Sequence, residues 1–98
     1  MKALTEALKS DIRVENMRSN SGNDVPNQFL IYTNYGKMFR SYNSNIAFIP
    51  NDEDIIYLGE DWNYSRTTSK YRGYFLGLST EDLRKMIENK TAVIVKDL

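Results

Sequence analysis

The chain contains no cysteine and no histidine among its 98 residues. The first absence excludes disulfides and thiolate metal sites; the second removes the commonest metal ligand and the usual general base near neutral pH. No stretch approaches the roughly twenty consecutive apolar residues that a membrane-spanning helix requires. The opening segment, MKALTEALKS, carries Glu6 and has no apolar run of signal-peptide length. An excess of either charge is missing too. With 13 basic and 13 acidic side chains the formal net charge is zero, so the whole molecule is no electrostatic magnet for nucleic acid. These absences lead to the expectation of a soluble, cytoplasmic protein with no membrane association, no metal, no cofactor and no enzymatic activity of the common nucleophile-and-base kind. A chain of this length closes a single core, so residues 1–98 are expected to form one domain.

What is present concentrates between Trp62 and Leu78, WNYSRTTSKYRGYFLGL. At 100° per residue, Tyr64, Thr68, Tyr71, Phe75 and Leu78 stack on one side of a helix, and Arg66, Lys70, Gly73 and Gly77 on the other. Asn63 or Ser65 supplies the N-cap. Gly73 and Gly77 each cost about 1 kcal/mol relative to alanine, so the helix either ends near Tyr71 or runs on through the glycines. An acidic run precedes it: Asp52, Glu53, Asp54, Glu60 and Asp61 have no basic neighbour, whereas Arg66, Lys70 and Arg72 have no acidic one. Charge runs of this kind usually face water, and the two can neutralise each other.

Elsewhere the pattern alternates between strand and turn. Lys2 to Ser10 places Leu4, Ala7 and Leu8 at helical spacing, and Ile12 to Met17 reads as a strand with one buried face. Arg18 to Asn27 is a Ser/Asn/Gly/Pro-rich loop. Gln28–Thr33 and Lys37–Tyr42 flank Asn34-Tyr35-Gly36 and predict a hairpin; Ile46–Ile49 and Ile55–Leu58 predict a second around Pro50-Asn51-Asp52. Apolar residues on both faces of Gln28–Thr33 imply a strand covered on both sides, or one face used in association. Ser79 caps a second helix, with Leu78 able to staple to Leu83, Glu81 and Asp82 at its positive end, Lys85 and Lys90 towards its negative end, and Asn89 as its left-handed stop. Thr91 to Val95 predicts a buried final strand, placed beside Ile12–Met17. The fold class is therefore α+β: a small domain with a mostly antiparallel sheet of about five strands and two or three short helices.

Chemistry-bearing patterns are sparse. Asp52 with Glu88-Asn89-Lys90 superficially matches a magnesium-dependent nuclease pattern, but the Glu and Lys fall at a helix end where a strand is wanted. Asp52, Glu53 and Asp54 lack the ligand alternation of a calcium loop. Glu60 or Asp61 beside Trp62 has no visible catalytic partner, and the hydroxyls of Ser65, Thr67, Thr68 and Ser69 have no base but lysine. Two surfaces remain. Arg66, Lys70 and Arg72 can contact phosphates while Tyr64, Tyr71 and Tyr74 offer stacking rings, although Tyr64 and Tyr71 at helical spacing are better read as core. Alternatively, Tyr74 and Arg40, with Tyr32, Tyr35, Tyr42 and Tyr57, are the residue types that dominate protein interfaces, and a glycine-smoothed helix face suits association, including a homodimer.

At NQFLIYTNYGKMFRSYNSNIAFI and WNYSRTTSKYRGYFLG, and from RVENMRSNSGNDVPNQF onwards, the chain resembles a family of small uncharacterised proteins encoded by bacteriophages and other mobile elements of gut and Gram-positive bacteria. The resemblance covers most of the chain from Ile12 and carries no activity to any residue. It implies a non-catalytic protein that docks on a host or phage protein, or on protein–nucleic acid machinery, as an inhibitor or adaptor, an anti-defence role being one version. The alternative is a nucleic-acid-binding accessory protein using the Arg66–Arg72 face. Zero net charge favours the protein partner.

Overall fold

In the computed structural model, residues 12–98 are described. They contain six strands, β1 (Arg13–Arg18), β2 (Asp24–Tyr32), β3 (Gly36–Ser41), β4 (Ser44–Pro50), β5 (Ile56–Gly59) and β6 (Ala92–Val95), and two helices, α1 (Arg66–Leu76) and α2 (Thr80–Glu88). The helix expected over Lys2–Ser10 lies outside the described residues. All six strands form one sheet in chain order. Every neighbouring pair is antiparallel except β5 and β6, which run parallel because α1 and α2 form the crossover between them. The α+β expectation holds, with six strands in place of about five.

Local chemistry explains most of the meander. The β2–β3 turn is closed by Thr33, whose hydroxyl oxygen accepts from the backbone N–H groups of Tyr35 and Gly36, both at 3.1 Å, and donates to the Gly36 carbonyl. Glycine is needed at 36 because a Cβ would run into the Ile49 carbonyl oxygen and the Cα of Pro50. The demand is close approach by β4, not the turn itself. The loop expected over Arg18–Asn27 is shorter than its composition suggests. Ser19 to Asn23 turns, with Ser19 N–H donating to Asn23 O at 2.8 Å, and β2 already begins at Asp24, opposite Arg18.

The sheet has two different faces. Leu30, Phe39, Ala47 and Leu58 are successive cross-strand partners and form one row under the helices. Ile46 is the extra residue of a bulge opposite Phe39–Arg40, which lets Ile46 and Ala47 both enter the core although they are consecutive. Trp62, Tyr71 and Leu83 close that core from above, and Phe75 lies against Phe39 with ring centroids 5.9 Å apart. On the other face Val14, Ile31, Met38, Phe48, Tyr57 and Val93 form a second apolar row that crosses all six strands. Its centre, Met38 and Phe48, is buried with Ile31, Tyr57 and Leu98 against it. The apolar alternation in both faces of β2 is thus accounted for.

Three expectations are corrected. The α1 helix starts at Arg66, with Ser65 as N-cap accepting from Thr68 N–H, and runs through Gly73 to a left-handed Gly77 at φ 70°. Tyr64 therefore precedes the helix, leaves the core periodicity and is 49% exposed, while Thr68 and Tyr71 are buried. Asn89 is not the left-handed stop; Lys90 takes φ 68° instead, and the Asn89 side chain accepts from Thr91 N–H and Oγ1. Finally, β6 pairs with β5 at the edge opposite β1 and is not a buried strand, since Val93 and Ile94 are 37% and 46% exposed. The crossover returns the chain beside the strand it left.

Beneath α1 lies a polar layer that the hydrophobic pattern does not show. Ser41 and Thr68 share a hydrogen bond of 2.7 Å, and next to Ser41 in the register Gln28 is fully buried with neither amide atom partnered. An unmade hydrogen bond at a buried polar group costs about 1–3 kcal/mol. Gln28→Met, which keeps the volume, is expected to raise the unfolding free energy by about 1–2 kcal/mol in urea titration. A clear fall would mean that an ordered water satisfies the amide.

The α2 N-terminus makes a pH-dependent contribution. Ser79 Oγ accepts from Asp82 N–H and the Asp82 carboxylate accepts from Ser79 N–H, each at 3.0 Å. The backbone hydrogen bond, followed by the Ser79 side chain, holds the Asp82 carboxyl below its ordinary pKa of 3.8. A depressed folded pKa means that this contribution is complete above pH 3.8 and is lost as pH falls through the lower folded value. Stability of wild type should therefore fall more steeply below that pH than stability of Asp82→Asn, measured by denaturation across an acid series.

Candidate functional site

The sequence candidates Arg66, Lys70, Arg72, Tyr74 and Arg40 separate into three environments. Arg66, Lys70 and Tyr74 are spaced i, i+4 and i+8 on α1, so they rise on consecutive turns of one side, and all three are exposed. The opposite side of the helix carries Thr68, Tyr71 and Arg72 into the protein. Tyr71, itself buried, supports the exposed stripe: Lys70 Nζ lies 5.4 Å from its ring centroid, and Tyr74 packs edge-on to it at 5.5 Å. The Tyr74 ring is 56% exposed yet braced on one side, a geometry that lowers the entropy cost of binding through it. Neither Arg66 nor Lys70 belongs to the ion pairs among the described residues, which are Arg13–Glu15, Arg18–Asp24 and Glu81–Lys85. The acidic run and the basic helix do not neutralise each other through direct pairs.

Arg66 is also placed against helix electrostatics. It is the first residue of α1, where the macrodipole is positive, and the first turn has no acidic residue. A cation there costs about 0.3–1 kcal/mol. A local rule broken on an exposed surface is where function is expected to show.

Arg72 does not belong to this surface and is corrected to a structural residue. It is 1% exposed. Its Nη1 donates to the Trp62 carbonyl, with Asn63 Oδ1 at 3.4 Å, its Nη2 donates to Thr80 Oγ1, and its guanidinium lies 5.1 Å from the Trp62 ring centroid. No carboxylate pairs with it among the described residues. Burial, and after it the positive charge of Arg84, pushes its pKa below the ordinary arginine value. The signal was in the spacing: Arg72 follows Thr68 by four residues and Tyr71 by one, which puts it on the flank of the core face.

Arg40 lies apart from the α1 stripe. Its partner across β4 is Asn45, in the alternation that points away from the helices. Its Nη1 donates to Asn45 Oδ1 at 2.7 Å and its Nη2 to the Asn43 carbonyl at 3.0 Å; Asn45 in turn donates to the Leu98 carbonyl at 3.0 Å. These residues line a cavity of about 300 Å³ that also takes in Ser44, Glu60, Asp61 and Lys96. Sequence periodicity could not bring these residues together, since they come from the end of β3, the turn after it, the start of β4, the segment after β5 and the segment after β6.

The remaining acidic candidates are dispersed. Glu53 accepts the Tyr57 hydroxyl at 2.6 Å, which raises the pKa of that phenol, and Glu88 ends α2. Among the described residues no three acidic side chains gather as metal ligands would.

The chain belongs to a family described as "Family of unknown function (DUF8033)", whose model matches residues 12–96. No curated protein and no solved structure matches it. The match coincides with the sheet and both helices.

Removing Arg72 should act on stability alone. Arg72→Ala leaves the Trp62 carbonyl and a buried void and is expected to cost about 2–4 kcal/mol, whereas exposed Arg66→Ala should stay within about 0.5 kcal/mol. Equal stability of the two variants in chemical denaturation would remove Arg72 from the structural framework.

Proposed function

We propose that this member of a family of unknown function is a non-catalytic binding protein that docks on a protein partner through the Arg66–Lys70–Tyr74 stripe of α1. The observation that carries the reading is the stripe itself: two cations with no ion-pair partner among the described residues and a braced, exposed tyrosine, on consecutive turns of a helix whose other side is locked into the core. Arginine and tyrosine dominate interface hot spots, and a braced ring loses little freedom on binding. The sequence resemblance to bacteriophage and mobile-element proteins points to a host protein as the partner, with the chain acting in the cytoplasm as an inhibitor or adaptor, an anti-defence role included. Rim cations accelerate encounter with an acidic partner, and a partner-binding role needs no net charge.

Nucleic-acid binding, the alternative, is weakened by the burial of Arg72. Two exposed cations remain on the helix, and two phosphate contacts give a salt slope of only about −2 in log–log terms. That is shallow for a protein whose main task is holding nucleic acid.

The test pairs partner capture with variants. Tyr74→Ala is expected to lower affinity for a captured host protein by more than about 2 kcal/mol, roughly thirtyfold, with little change in salt dependence. Arg66→Ala with Lys70→Ala is expected to slow association and flatten its salt dependence. Full binding by a folded Tyr74→Ala protein would remove the anchor, and steeply salt-dependent, submicromolar binding of single-stranded DNA or RNA would favour the alternative.

A further inference from the structure

The cavity beside Arg40 holds opposite charges that do not meet. Arg40 and Lys96 bring two cations to its wall and Glu60 and Asp61 two carboxylates, yet none of the four is within ion-pair distance of another. Two of the four, Arg40 and Asp61, are held in place by neutral hydrogen bonds. Arg40 is held by Asn45 Oδ1 and the Asn43 carbonyl, which occupies two of its five N–H donors and leaves three without a partner among the described residues. Asp61 is held by the Ser44 hydroxyl, which donates to Oδ2 at 2.7 Å; its Oδ1 has no partner among the described residues. Asn45 is itself fixed by the Leu98 carbonyl. Gly59 also lines the cavity, and a side chain is excluded there because a Cβ would strike the Asn45 carbonyl oxygen, so the backbones of β4 and β5 lie close together at this point.

We propose that this cavity is a binding site for a small zwitterion, its carboxylate taken by the free donors of Arg40 and its ammonium group by Asp61 with Glu60. A planar guanidinium with unused donors matches a carboxylate fork, and an acceptor-only carboxylate with an unused oxygen matches an ammonium. A ligand bearing one charge would satisfy one wall and leave the other bare; a ligand bearing both satisfies the two at once. The volume, about 300 Å³, lies at the small end of ligand pockets and has room for an amino acid. Lys96, which also lines the cavity, adds positive charge to it. The site lies on the sheet face away from α1, so it stands independently of the partner-binding stripe.

The experiment is a titration of the isotope-labelled full chain by amide and arginine side-chain NMR, using four probes: glycine, 6-aminohexanoate, acetate and butylamine. The first two carry both charges at short and long spacing, and the last two carry one each. Saturable shifts at Gly59, the Asn45 side-chain amide and Arg40 Nε are expected with one of the zwitterions, at least about tenfold tighter than with either single-charge probe. Which zwitterion saturates first gives the spacing, and so distinguishes an α-amino acid from a longer amino acid. Arg40→Gln and Asp61→Asn, each with an unchanged fold by the same spectra, should each reduce that affinity about tenfold. Acetate binding as tightly as the zwitterions would overturn the proposal in favour of a simple anion site. Absence of saturable shifts with all four probes at millimolar concentration would overturn it outright. Because the titration of wild type decides by itself, a variant that fails to fold does not protect the proposal.

Discussion

The packing of α1, α2 and the segment that precedes them depends on one buried guanidinium. Arg72 reaches from α1 to the Trp62 carbonyl on one side and to Thr80, the first residue of α2, on the other. A charge taken out of water normally demands a carboxylate, but here the partners are neutral oxygens and the face of an indole. Such a charge is tolerated because guanidinium is weakly hydrated and planar, so that partial charges around its two Nη groups replace much of its water, although its buried Nε finds no partner among the described residues. Lysine in that place would have neither the reach in two directions nor the flat surface for Trp62. The same requirement removes Arg72 from any role at the surface.

With that node in place, the helix pair sits as a lid over one face of the meander, and the two faces of the sheet acquire different uses. The covered face buries the Leu30–Phe39–Ala47–Leu58 row and presents to solvent the outer sides of α1 and α2. The other face carries its own apolar row from Val14 to Val93, with a polar cavity at the end where β3, β4 and β5 meet the chain's last residues. The two candidate sites therefore sit on opposite sides of a sheet one layer thick. Occupation of one need not obstruct the other.

Much of the fold was legible because its causes are local. The β2–β3 hairpin followed from a turn sequence between alternating strands, and α2 followed from Ser79, Asp82 and Leu83 within one turn of each other. The helix of α1 was legible too: of the two N-caps the sequence offered, Asn63 and Ser65, it is Ser65 that accepts from Thr68 N–H, which leaves Tyr64 before the helix and in solvent. Turn-forming residues misled at Asp24 to Asn27, where β2 extends because a pairing partner, β1, is available across the hairpin. The candidate site was legible in part. Arg66, Lys70 and Tyr74 do share an exposed stripe, whereas Arg40 belongs to a different surface.

By itself the amino-acid sequence determined the class of the fold, the approximate place of each strand and helix, the capping of α2 and the exclusion of cysteine and histidine chemistry. These rest on periodicity, turn residues and composition, which act over a few positions. Tertiary structure decided that β6 joins β5 rather than β1, that Arg72 is buried, that Gln28, Ser41 and Thr68 make a polar layer under α1, and that Arg40 and Asp61 line one cavity without pairing. Each of those outcomes depends on residues distant in the chain becoming neighbours, and the burial or charge of a side chain is set by those neighbours rather than by its own segment.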